Sequence, residues 1–127
     1  MRPVNLFLTE DGVLKLGYYG LTTQAECYFI KKMDCDGVRS FAPEVFEGEY
    51  EMKSDVWSLG IVLVELMGIR PYYWCDDDYL PIMSGDLRSP FGGRSITSSE
   101  LIGFLEKCFQ KANARWCVSE LLNVSVL

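Results

Sequence analysis

The run from Val56-Trp57-Ser58-Leu59-Gly60 through Ile61-Val62-Leu63-Val64-Glu65-Leu66-Met67 constrains this chain more than any other segment. It is apolar on nearly every face of a 3.6-residue period, so a helix built from it must be buried all round. The run is too short for a membrane span and carries Glu65, so its cover has to be protein. A helix over 55–67 is expected, capped by Ser54, with the Asp55 carboxylate near its positive end. Gly68 ends it and Pro71 prevents its resumption. Two further charges flank this helix in sequence. Ala42-Pro43-Glu44 places a carboxylate just before it, and Asn113-Ala114-Arg115 returns an arginine near the end of the chain. Buried charges persist only when paired and hydrogen-bonded. The pattern therefore predicts a carboxylate–arginine clamp around one central helix, formed by Glu44, Asp55 and Arg115, with Glu44 and Arg115 as a buried or half-buried ion pair.

The remaining segments read as one domain of mainly α architecture, since 127 residues hold one domain at most. Leu6-Phe7-Leu8 and Val13-Leu14-Lys15-Leu16 are short β-prone runs, and the Asp11-Gly12 pair between them signals a hairpin. No sustained period runs through 22–39, which reads as a long loop, and proline and glycine break up 81–93. Thr97-Ser98-Ser99-Glu100 has the form of a capping box. It starts a helix whose apolar face is Leu101, Phe104, Leu105, Cys108 and Phe109, and a last short helix is expected over 118–123.

Composition removes several functions. A net charge of −6 without any basic run argues against nucleic-acid binding. The chain has no histidine, and its five cysteines are scattered without C-x-x-C spacing, so neither a zinc site nor Ser-His or Cys-His chemistry is expected. With no signal-peptide pattern and no membrane span, a reduced cytoplasmic domain is the expectation.

Taken in order, these segments resemble the C-terminal lobe of eukaryotic protein kinases. Arg2-Pro3-Val4-Asn5-Leu6-Phe7-Leu8 is similar to the end of a kinase catalytic loop in its serine/threonine form, K-P-x-N-I-L-L. Gly37-Val38-Arg39-Ser40-Phe41-Ala42-Pro43-Glu44 resembles the end of the activation segment in MAP kinase kinases and, more loosely, Ste20-like kinases. Asp55 with Trp57-Ser58-Leu59-Gly60 is similar to the opening of the lobe's core helix, and Gly68-Ile69-Arg70-Pro71-Tyr72 to the turn after it. Phe104-Leu105-Glu106-Lys107-Cys108 and Ala114-Arg115 with Glu120-Leu121-Leu122 resemble the closing helices, where the family pairs the A-P-E glutamate with an arginine. The resemblance implies vestigial catalytic-loop positions at Arg2 and Asn5. It also implies an adenine-floor position at Phe7, and structural roles for Glu44, Asp55 and Arg115.

Two departures bear on activity. Tyr18-Tyr19-Gly20 stands where the family has D-F-G, so Tyr18 replaces the aspartate that holds magnesium. Val38 stands where a threonine normally contacts the catalytic aspartate. The glycine-rich loop, the ATP-anchoring lysine and H-R-D belong to family segments upstream of Met1, so a truncated chain without the N-terminal lobe is expected. The family uses ATP and magnesium; none is expected for this chain.

Three readings stay open. One is an inactive C-lobe acting through protein contacts, with Tyr72, Tyr73 and Trp74 as a candidate surface. Another is part of an active serine/threonine kinase whose N-terminal half lies upstream, and the third is a fragment without independent function. The expected partners are proteins, including a second copy meeting an uncovered core, and neither nucleic acid nor membrane. Thr22, Thr23, Tyr28 and Ser40 are candidate exposed phosphoacceptors.

Overall fold

The computed structural model describes residues 3–17, 40–69 and 96–124. A 3₁₀ turn, Pro3–Asn5, leads into strand β1 (Leu6–Leu8), which pairs antiparallel with β2 (Leu14–Leu16). The register sets Leu6 opposite Leu16, Phe7 opposite Lys15 and Leu8 opposite Leu14. Thr9 closes the loop from both sides, its backbone N–H and hydroxyl donating to the Val13 carbonyl at 2.9 and 3.0 Å. Gly12 supplies the positive φ of 82° that this reversal requires.

Four helices follow among the described residues: α1 (Pro43–Phe46), α2 (Ser54–Leu66), α3 (Ser99–Cys108) and α4 (Val118–Leu121). The helix expected over 55–67 is α2, and its start departs from expectation. Lys53 occupies the cap position with helical φ and ψ of −70° and −15°, and no side chain caps the end. The reason lies in the turn ahead of it: Ser54 N–H donates to Glu51 O and Asp55 N–H to Met52 O, so the coil is already winding. The Ser54 hydroxyl is thereby released for other work. At the far end the chain turns at Gly68, with φ of 69°, and Ile69 N–H returns to Val64 O.

Helix α2 is buried on most of its circumference, with Val56, Trp57, Ser58, Gly60, Ile61, Val62 and Val64 all inside. Burial is not complete, because Asp55 and Leu66 are exposed. Around it pack Ala42, Val45, Ile69, Leu105, Cys108, Phe109 and Leu121. Each such apolar side chain contributes roughly 1.5–3 kcal/mol on burial, which makes α2 the axis of the described structure. α3 crosses α2 at Gly60, where a β-carbon would stand 2.8 Å from the Phe109 ring and 2.9 Å from Cys108 Cβ. Only glycine permits that approach. Phe109 also meets Trp57 edge to face at 5.0 Å.

The caps of the later helices differ from the sequence pattern. Ser98, not Thr97, caps α3: its Oγ accepts the Leu101 N–H at 3.1 Å and donates to Glu100 Oε2 at 3.0 Å. Because α3 begins at Ser99, Glu100 falls at its second position and the four-residue box cannot close. α4 ends at Leu121, short of residue 123, and continues as a turn through Val124. No helix among the described residues is long and apolar enough to cross a membrane.

Candidate functional site

The described structure converges on Arg115, which is 1% exposed and carries one of the two charged side chains in the core. Its Nη1 donates to Glu44 Oε1 at 2.5 Å and its Nη2 to Glu44 Oε2 at 3.0 Å, a two-pronged pair. Nη1 also donates to the Lys53 carbonyl at 3.0 Å, and Nε to the Gln110 carbonyl at 3.1 Å. The guanidinium carbon lies 5.1 Å from the centre of the Trp57 ring. A buried guanidinium is tolerable because every edge of it is met by an acceptor or a π face.

Local structure explains how Glu44 reaches it. Pro43 starts α1 at a position where its missing N–H is no loss, which sets Glu44 in the first turn at the positive end of the helix. Ser54 Oγ then donates to Glu44 Oε1 at 2.8 Å, joining the start of α2 to the pair. Burial pushes the Glu44 carboxyl up. The hydrogen bonds from Arg115, its own backbone and Ser54, with the Arg115 charge, outweigh that and hold it below the ordinary 4.5.

The clamp thus has one carboxylate and not two. Glu44 and Arg115 come together, whereas Asp55 points to solvent on the first turn of α2. The physical reason is the helical start at Lys53, whose carbonyl takes the arginine contact on this side. Ser40 also departs from expectation. It is 3% exposed, because its carbonyl accepts the Ser58 hydroxyl at 2.6 Å and draws the residue under α2. A buried Ser40 hydroxyl is not an available phosphoacceptor.

Asn5 is half-buried at the foot of the hairpin, and its carbonyl accepts the Gly17 N–H at 2.8 Å. The turn that carries it rests against α2. Phe7 is 56% exposed, with its ring edge over Gly17, where a β-carbon would come within 2.5 Å of Cε2. Arg2, Tyr18, Thr22, Thr23, Tyr28, Val38, Tyr72, Tyr73 and Trp74 lie outside the described residues. Behind the clamp, burial pushes the Cys108 thiol up to about 12, partly offset by the Arg115 charge. That thiol is a packing group and not a nucleophile.

Sequence reasoning missed Lys53 and Gln110, which act through backbone carbonyls that leave no mark on residue type. It also read Ser54 as a cap, although serine ten residues from a buried glutamate was a hydroxyl within reach.

Comparison with known proteins matches the whole chain, residues 1–127, to the family described as protein kinase domain. Serine/threonine-protein kinase pakH of Dictyostelium discoideum is 33% identical over 127 residues, covering 97% of this chain and 25% of that protein. MAP kinase kinase mkk-4 of Caenorhabditis elegans is 33% identical over 119 residues, covering 87% and 33%. The G2-specific protein kinase nim-1 of Neurospora crassa is 27% identical over 129 residues, covering 100% and 15%. The chain spans a third or less of each of these relatives.

Proposed function

Since the chain belongs to the eukaryotic protein kinase family, serine/threonine type, we propose that it is C-terminal-lobe structure that has lost phosphoryl transfer and acts through protein contacts. One observation carries this reading: Tyr18 stands at the family's magnesium-aspartate position in a chain that keeps the Glu44–Arg115 clamp.

Phosphoryl transfer draws its rate from positioned metal and electrostatics, with little covalent work by the protein. The two magnesium positions carried by this sequence hold the Asn5 amide and the Tyr18 phenol, both neutral near pH 7. Magnesium with its phosphates is held by carboxylates, so this donor set does not fit the ion. No catalytic step is assigned through it. Val38, in place of the threonine that meets the catalytic aspartate, weakens substrate alignment as well.

What remains useful is rigidity. The clamp ties the end of the activation segment to the core helix and to the segment before α4, and a fixed surface binds partners without an ordering cost. The partners are proteins, and the compartment is the cytoplasm of the family's soluble members. Calorimetric titration of Mg-ATP into the full-length product of the native transcript tests the reading. No saturable binding is expected in the wild type, and Tyr18→Asp is expected to improve binding. Micromolar Mg-ATP binding with phosphate transfer to a protein substrate overturns it.

A further inference from the structure

Between α1 and α2 the chain turns outward at Gly48, whose φ is 86°, and comes back through Glu51, Met52 and Lys53. Those last residues wind the start of α2. The N–H groups of Ser54 and Asp55 donate to the Glu51 and Met52 carbonyls at 3.0 and 3.3 Å, and those of Val56 and Trp57 to the Lys53 carbonyl at 3.1 and 3.3 Å. The Met52 backbone thus belongs to the helix start, whereas its side chain stands in water. Met52 is 92% exposed, more than any other exposed large apolar residue described. Less than a tenth of its surface is withheld from solvent, too little to cover the thioether sulfur. Met67, at the other end of the same helix, is the opposite case, half-buried and packed against the core.

We propose that Met52 is a reversible oxidation site, taking an oxygen atom from hydrogen peroxide and losing it to a methionine sulfoxide reductase, with the fold unchanged in either state. A sulfur lone pair attacks one peroxide oxygen. The S–O bond forms as the O–O bond breaks, and the departing hydroxide takes the proton of the transferred oxygen and leaves as water. Sulfur loses two electrons and the peroxide gains them. Two thiols of the reductase reverse the step, ending as a disulfide while the oxygen leaves as water. Attack requires a thioether that peroxide can reach, which Met52 offers and the core-packed Met67 withholds. The sulfoxide oxygen is a new acceptor beside the start of α2, yet the N–H groups of Ser54, Asp55, Val56 and Trp57 are all engaged already. It therefore has no backbone donor to capture there, and the helix keeps its start. What changes is surface chemistry: a flexible apolar side chain becomes a polar, chiral one among the exposed carboxylates of Glu49, Glu51 and Asp55.

The chain carries its own controls, since Met33 and Met83 lie outside the described residues and Met67 within them. The purified 127-residue chain is treated with dilute hydrogen peroxide, and sulfoxides are located over time by peptide mass spectrometry. In native buffer Met52 is expected to gain its oxygen several-fold faster than Met67, and in urea the two are expected to react at the same rate. A methionine sulfoxide reductase with a thiol reductant should return Met52 to the thioether. The urea midpoint, followed by circular dichroism, should be the same before oxidation, after conversion of Met52 and in Met52→Leu. Met67 keeping pace with Met52 in native buffer overturns the proposal, as does oxidation of Met33 or Met83 with Met52 untouched. A Met52 sulfoxide that the reductase cannot reverse, or one that lowers the midpoint when Met52→Leu does not, overturns it as well.

Discussion

The Ser54 hydroxyl donates to Glu44 Oε1 over 2.8 Å, the same oxygen that accepts Arg115 Nη1. One carboxylate oxygen therefore joins α1, the start of α2 and the segment before α4. The three do not contribute equally, because losing either Glu44 or Arg115 strands a buried charge, whereas losing the Ser54 hydroxyl removes a single hydrogen bond.

Arg115→Ala is expected to cost about 3–5 kcal/mol, since it leaves Glu44 buried and unpaired. Arg115→Lys is expected to recover little, because an ammonium cannot meet both Glu44 oxygens and the Gln110 and Lys53 carbonyls together. Urea denaturation followed by circular dichroism measures both. A variant with lysine as stable as wild type would refute the two-pronged geometry.

The pair also sets a pH dependence. The Glu44 carboxyl is held below 4.5 in the folded state, so its contribution is fully present above that unfolded value. It is lost as pH falls through the depressed folded value, where protonation removes the arginine's partner. The acid limb of the stability curve should flatten in Glu44→Gln and shift upward in pH in Ser54→Ala, which removes one of the bonds lowering that carboxyl. Denaturation midpoints at successive acid pH values report both effects.

Gly60→Ala is expected to destabilise by about 1–3 kcal/mol through overpacking, as its methyl would fall 2.8 Å from Phe109 and 2.9 Å from Cys108 Cβ. Gly103 lies within α3 with nothing inside 4 Å of a β-carbon. There the same change should stabilise by about 0.4–1 kcal/mol. Thermal melts of the two variants should move in opposite directions.

Self-association is expected through the hairpin. The register puts Leu6, Leu8, Leu14 and Leu16 on one face, and Leu8, Leu14 and Leu16 are 71%, 62% and 42% exposed. A two-stranded hairpin with an open apolar face is marginal alone and gains by meeting another surface. Light scattering of the 127-residue chain should show oligomers that Leu8→Lys with Leu14→Lys converts to monomer. A monodisperse wild type with a cooperative transition of several kcal/mol would count against this and favour a stand-alone role.

The axis of the structure was readable in the sequence because a helix apolar all round has one fate. The Glu44–Arg115 meeting was readable because a buried arginine needs a carboxylate. Asp55 was misread for the opposite reason: a helix N-terminus stabilises an acidic side chain in solvent as well as in a core. Thr97 and Ser98 offer equivalent capping oxygens, and only the point where the coil begins chooses between them. Ser40 gave no sign of burial, because what pulls it inward is its carbonyl and the hydroxyl of Ser58, eighteen residues away in sequence.

The clamp's partners are 71 residues apart in the chain, and this has a consequence for the order of events during folding. Closing a loop of that size costs entropy before any contact forms, so long-range pairs tend to be made after local ones. Within α2 and α3 the hydrogen bonds are local and available early. Arg115 can settle only once both helices present the Lys53 and Gln110 carbonyls and the Trp57 ring. Its interactions should therefore be nearly absent from the transition state. Weakening it would leave the refolding arm of a chevron almost unmoved and raise the unfolding arm, making Arg115 a latch on the native state's lifetime.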